Sequence, residues 1–331
     1  MNQWKHEYFS YAYVKFSSLW YDGWMNPLFS AFANSLTALG LCIIVGYGCR
    51  RKRMLNDVHM SGFSELLVKV TLPCTVFISF MRPFSRELLA ESLLTFVITG
   101  IIYILGGYVG LGLMKLTKAT PGESQSWRFG IGFPNVAFMG IPIIMAVFGE
   151  EGMIYVSMAI AAFNLLAFTH GVRMFENAPK DLNLKGLIMN TPALIVVVIG
   201  FVFFVTGLRL PFAFENGIAL IGGMTTPISM IFIGAILAKQ RLKDSLMDFK
   251  VLPSVAVRLL VIPLVTFFVL RLFISNTLML NVIVTLVGMP VAAMTAIFAE
   301  QYDADALAAA KFVVVSTILC VITVPIIALL Y

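Results

Sequence analysis

The chain has 331 residues, of which 60% are hydrophobic and 12% charged, with a formal charge of +6 and a mean hydropathy of +0.93. Soluble domains carry about 45–50% apolar and about 25% charged residues, and even a large one leaves much of its chain in water. A soluble fold is therefore excluded, and lipid is the matching solvent. The positive excess does not indicate a nucleic-acid partner, because it is distributed as membrane topology requires.

Residues 1–28 mix polar and aromatic side chains, among them Trp4, Tyr8, Trp20 and Trp24. They lack the basic start, short apolar core and small-residue site of a signal peptide. Aromatic rings favour the membrane–water interface, so the segment reads as an interfacial extension or a partly ordered tail. Ten apolar stretches long enough for a membrane helix then follow. They cover 29–49, 61–81, 88–114, 127–148, 152–173, 186–207, 213–238, 250–272, 278–299 and 306–330. The expected fold class is an all-α polytopic membrane protein of ten transmembrane helices.

Basic residues set the orientation. The loops after odd-numbered spans hold fourteen Lys and Arg, including the run Arg50-Arg51-Lys52-Arg53 and the groups Arg173/Lys180/Lys185 and Lys239/Arg241/Lys243/Lys250. The other side holds six: Lys5, Lys15, Arg82, Arg86, Arg209 and Arg271. Odd-numbered loops are thus expected in the cytoplasm, with both termini outside the cell's inner (plasma) membrane.

The chain divides into 29–175 and 176–331, and the halves echo each other. Thr71-Leu72-Pro73 in the second span corresponds to Thr225-Thr226-Pro227 in the seventh. Gly140-Ile141-Pro142 in the fourth, followed by Phe148-Gly149-Glu150, corresponds to Gly288-Met289-Pro290 in the ninth, followed by Phe298-Ala299-Glu300. Five spans per half make the second repeat inverted. Gly/Pro-interrupted segments at matching places mark broken helices at a transport site, because proline removes a donor and freed backbone groups must face protein or a polar cavity. The half-helix N-termini carry partial positive charge, so the centre should favour an anion. Gly140, Pro142, Gly288 and Pro290 are the expected crossover breaks.

Ionisable residues deep in a span are functional candidates. Arg258 is deep in the eighth span and is expected to line a cavity and bind an anion or a buried partner. Lys311, five or six residues into the tenth, either joins the site or snorkels. Lys69 follows Glu65 at helical spacing and suits a surface ion pair. Of the neutral polar residues, Asn135, Asn164, Thr225, Ser229 and Thr295 lie near the breaks. Asn135 is the foremost candidate, and Asn164 either binds substrate or ties two helices together. Deep acids are nearly absent, which argues against cation exchange. Cys42, Cys49, Cys74 and Cys320 form no pair motif, His6, His59 and His170 are scattered, and no phosphate-binding loop is present. No metal, cofactor or enzymatic activity is expected.

The stretch Gly132-Phe133-Pro134-Asn135-Val136-Ala137-Phe138-Met139-Gly140-Ile141-Pro142, with Thr226-Pro227-Ile228-Ser229 and Met289-Pro290-Val291-Ala292-Ala293, resembles the auxin efflux carrier family, which includes plant PIN carriers and bacterial malate or malonate permeases. The resemblance runs over nearly all of 29–331. It implies that the fourth and ninth spans cross at the midplane. It also implies a scaffold of spans 1, 2, 6 and 7, a mobile core of the others, elevator-like transport and a homodimer through the scaffold. Plant members share Asn-Pro-Asn at the crossover. Here it is Phe133-Pro134-Asn135, with no Asn beside Pro290, which favours a bacterial-type substrate. The expected function is secondary transport of a small organic anion, a mono- or dicarboxylate such as malate or malonate, with proton or sodium coupling left open. A ligand-binding receptor or channel of the same fold is the alternative.

Overall fold

The computed structural model describes residues 27–117, 119–177, 192–239 and 251–331. Most of the N-terminal extension and the basic residues Lys180, Lys185, Arg241, Lys243 and Lys250 lie outside them. The described chain is helical throughout, as expected of an all-α polytopic membrane protein. In chain order the helices are α1 (Pro27–Arg51), α2 (Asp57–Ser79), α3 (Arg86–Thr117), α4 (Pro121–Gly132), α5 (Val136–Phe148), α6 (Glu150–Met174), α7 (Pro192–Thr206), α8 (Phe212–Ala238), α9 (Leu252–Leu270), α10 (Thr277–Val287), α11 (Met294–Gln301) and α12 (Ala306–Ala328). Among the described residues, six of these (α2, α3, α6, α8, α9 and α12) are long and apolar enough to cross a membrane by themselves. The fourth and ninth spans of the sequence are each divided in two, as α4/α5 and α10/α11.

Local chemistry explains the ends. Thr120 and Glu123 form a reciprocal capping box at the start of α4, so two of its orphan N–H groups are satisfied. Asn276 caps α10 and Asp305 caps α12 through their side-chain oxygens. Gly149, at φ 65°, makes the tight turn from α5 into α6. Four helices widen into π-turns, at Leu67–Thr71, Val136–Gly140, Ala167–Gly171 and Val257–Val261. The first, second and fourth are followed, two residues on, by Pro73, Pro142 and Pro263. Proline lacks a donor and clashes with the preceding turn, and a wider turn accommodates both defects.

Two packing groups are visible. In the first, α8 lies along α1 and also contacts α2, which packs on α7. In the second, α3 packs on α4 and α6, α4 on α12, α9 on α10, and α11 on α12. Apolar side chains face lipid on the outside, for example Val97, Ile101, Leu105 and Val109 on α3. Lipid offers no hydrophobic drive for helices to associate, so small residues that let backbones approach take over. On α3, Gly106 and Gly110 face Gly132 and Arg128 of α4, where an added Cβ would come within 2.9 Å of backbone. On the other group, Gly46 of α1 meets the Ile231 carbonyl and Gly234 of α8 meets the Ile43 carbonyl. The segments that carry the two echoing motifs also meet, through Thr75, two residues after Pro73. The Thr75 hydroxyl is 2.8 Å from both the Gly222 carbonyl oxygen and the Thr225 hydroxyl. Lys69 pairs with Glu65 on the α2 surface at 3.5 Å.

Replacing Gly234 with leucine forces α1 and α8 apart, and overpacking of this kind costs about 1–3 kcal/mol or more. A thermal melt in detergent should show a clear fall in melting temperature for Gly234→Leu. Gly48→Ala, at a position open to space, should melt like the parent.

Candidate functional site

The site is built where the fourth and ninth spans are interrupted. Helix α4 ends at Gly132 because Pro134 cannot donate, and a residue before proline disfavours helical geometry. Phe133 is accordingly extended, at φ −115° and ψ 104°. Asn135 then starts α5, its Oδ1 accepting from the Phe138 N–H at 3.2 Å. The interruption therefore falls at Phe133–Asn135, before Gly140 and Pro142. Those two lie inside α5, where π geometry gives way to α. In the second half the interruption runs from Gly288 through Pro290 to Ala293.

The two interruptions lie antiparallel, bridging Pro134 and Val291. The Asn135 N–H donates to the Pro290 carbonyl at 2.7 Å, and the Ala292 N–H to the Phe133 carbonyl at 3.2 Å. The Val291 N–H donates to the Ser316 hydroxyl of α12 at 3.1 Å, and that hydroxyl donates to the Val313 carbonyl. Without water at this depth, backbone groups released by the breaks have to be matched within the protein.

Four half-helix ends meet here, two of each polarity. On the C-terminal side stands Arg258, 0% exposed. Its Nη1 donates to the Ile131 carbonyl of α4 at 3.0 Å. Its Nη2 donates to the Val287 carbonyl of α10 at 2.6 Å, and its Nε to the Met289 carbonyl at 3.3 Å. On the N-terminal side is a cavity of about 450 Å³. It is lined by Asn135–Phe138 of α5 and its cap, Ala292–Met294 and Ile297 at α11, Ser64 and Val68 of α2, Phe163 and Asn164 of α6, and Val313 of α12. Among the described residues, no acidic or basic side chain lines it.

Asn135 is 7% exposed and faces this cavity. Its Oδ1 caps α5, while its Nδ2 has no acceptor among the described residues. Asn164 also lines the cavity, with its Nδ2 bonded to the Ile160 carbonyl of its own helix at 3.0 Å. The other candidates lie apart from the lining. Arg258 faces helix carbonyls. Thr295 is fully buried in the first turn of α11, with no hydrogen-bond partner for Oγ1 among the described residues. Lys311, half-buried, follows the lining residue Ala310. Thr225 is engaged with Thr75, and the Ser229 hydroxyl donates to the Thr226 carbonyl. Sequence reasoning missed Ser316 and Ser64, because a lone serine in an apolar run gives no sign of its partner.

The cavity shares Ser64, Phe232 and Ile236 with a shallower depression holding Arg50 and Asp57, so it opens toward the face with the Arg50–Arg53 run. A second cavity, of about 760 Å³, opens on the opposite face between α2, α8 and the turn into α6. Arg82, Glu150, Glu151 and Glu215 line it. Arg82 bonds the Ser79 carbonyl at 2.7 Å and the Glu150 carbonyl at 2.8 Å. Burial lowers its pKa, partly offset by Tyr155 and the two glutamates. This second cavity reaches Ile141 and Met145 of α5, the helix whose N-terminus borders the first.

A polytopic helical protein with interrupted helices meeting at a cavity has the construction of a membrane transporter. The family model described as membrane transport protein, that of the auxin efflux carriers, matches residues 32–328, and the chain belongs to this family. Its relatives include the uncharacterized transporter YfdV of Escherichia coli, 22% identical over 65% of this chain and 71% of the relative. An uncharacterized transporter of Methanocaldococcus jannaschii is 23% identical over 84% of this chain and 91% of its own length. One from Methanothermobacter thermautotrophicus is 21% identical, covering 90% and 98%.

Ser316→Ala leaves the Val291 N–H buried without its acceptor, which costs about 1–3 kcal/mol. The variant should melt below the parent, and amide exchange should rise around Val291. Unchanged exchange there would show that the Ser316 contact is dispensable.

Proposed function

We propose that this protein is a secondary carrier for a small organic anion, a mono- or dicarboxylate such as malate or malonate. The observation that carries this reading is Asn135, whose side chain faces a cavity lined by no acidic or basic side chain among the described residues, and whose Nδ2 has no acceptor among them. A carboxylate oxygen is the acceptor it lacks. The N-termini of α5 and α11 border the same cavity, and each carries roughly half a positive charge. Helix N-termini bind anions through both their free N–H groups and this pole. The apolar lining strengthens such interactions relative to water. Among the described residues, a cation would find no carboxylate on these walls.

Alternating access by an elevator-like movement fits the two packing groups, with α1, α2, α7 and α8 as scaffold and the remaining helices as the moving body. It also fits two cavities that open on opposite faces and reach successive parts of α5. The inverted-repeat reading of 29–175 and 176–331 draws support from the antiparallel pairing of the two breaks and from the contact of Thr75, just after the first threonine motif, with Thr225 of the second. With the basic face in the cytoplasm of a cell with an inner membrane, the Asn135 cavity is the inward-open one.

The test is a thermal-shift panel of carboxylates and matched neutral analogues on purified protein, followed by counterflow in proteoliposomes with the acid that stabilises. A ligand that binds only the native state raises the melting point in a dose-dependent way. Asn135→Asp keeps the oxygen that caps α5 but replaces the free donor with a negative charge. It should melt near the parent without ligand and lose the ligand-induced shift. Stabilisation by no acid, or an undiminished shift in Asn135→Asp, refutes the proposed site. Binding without counterflow would make the protein a receptor.

A further inference from the structure

We infer that Arg258 is a positioning residue: it ties together and neutralises the two half-helix C-termini at the crossover, which leaves the positive poles of α5 and α11 as the field the cavity presents. The first part rests on the bond pattern alone. The second rests on the anion-carrier reading above.

The last carbonyls of a helix have no partner within it, and the terminus carries roughly half a negative charge. Two such ends, those of α4 and α10, come together where lipid and protein exclude water. Left alone they would place about one negative charge beside the substrate path and leave acceptors unsatisfied. The guanidinium has five donors in a planar fork. It gives one to α4 at Ile131 and two to the end of α10 at Val287 and Met289. One side chain from α9 thus joins a helix of the first half to a helix of the second, and its unit charge matches the two half-charges. Arg258 sits in the π-turn Val257–Val261 and does not line the Asn135 cavity, so a substrate there would feel it through the helix ends.

The alternatives differ in what lysine can replace. Lysine carries the same charge on a single point and does not reproduce a fork. Arg258→Lys should keep the charge balance and lose the tie, whereas Arg258→Gln loses both. Ligand-free hydrogen exchange, followed by mass spectrometry, reads the tie. In Arg258→Lys, exchange should rise together in the peptides covering 129–134 and 286–292, and the melting point should fall. Anion affinity reads the balance. In Arg258→Gln it should weaken by about five- to thirtyfold, and in Arg258→Lys it should return to within about threefold of the parent.

If Arg258→Gln does not fold, the lysine variant alone decides. Unchanged exchange at either break, or an affinity that lysine does not restore, overturns the assignment. The latter outcome marks a direct substrate contact. Because the exchange measurement uses no ligand, it stands even if no organic acid binds the parent protein, a result that would reject the carrier reading and leave the tie intact.

Discussion

Interrupting a helix in the middle of a membrane releases backbone donors and acceptors where there is no water to take them, and the centre of this protein is organised around that constraint. Each interruption supplies part of the answer to the other. Asn135 donates to Pro290, and Ala292 donates to Phe133. What the two strands cannot satisfy mutually is completed from outside: Ser316 for the Val291 N–H, the Asn135 side chain for the Phe138 N–H, and Arg258 for the carbonyls of Ile131, Val287 and Met289. The crossover is therefore held by polar contacts between segments far apart in sequence.

The same arrangement sorts charge. Both C-terminal ends face a buried guanidinium, and both N-terminal ends border a cavity without charged side chains among the described residues. A lone cation in an apolar interior is costly, but carbonyls with partial negative charge are suitable partners for it. Packing around this centre relies on close backbone approach, at Gly46 and Gly234 in one group and at Gly106, Gly110 and Gly132 in the other. The two groups touch mainly through α5 against α1 and α8, α6 against α7, and α1 against α12.

Several elements were legible in the chain itself, within the limits of apolar windows. The span expected at 88–114 is α3, Arg86–Thr117, and that expected at 306–330 is α12, Ala306–Ala328. The fourth span was read as starting at 127, yet α4 begins at Pro121. Its first turns carry Glu123, Ser124, Gln125 and Ser126, which a lipid-based criterion rejects. Gln125 and Ser126 are buried against protein instead, and Ser126 bonds the Asp305 carbonyl at 3.1 Å. In the fourth span the Gly-x-Pro signal points to the right helix and to the wrong turn of it, whereas in the ninth Gly288 and Pro290 lie in the break itself. Pro142 is absorbed by a π-turn, whereas Pro134, with an extended residue before it and a capping Asn after it, ends a helix outright.

Composition, hydropathy and the echo between halves are properties of the chain, so the sequence by itself determined the solvent, the helical class, the family and two candidate interruptions. It also singled out Asn135 and Arg258 as polar groups that an apolar span tolerates only with a partner. Which partner each would have was decided only by the tertiary structure. Arg258 meets Ile131 across 127 positions, and the direction in which a buried side chain points depends on which helix ends are brought to it. The physical reason is that burial cost is local and readable from residue type and depth, while its compensation is supplied by atoms whose positions depend on the packing of the whole bundle.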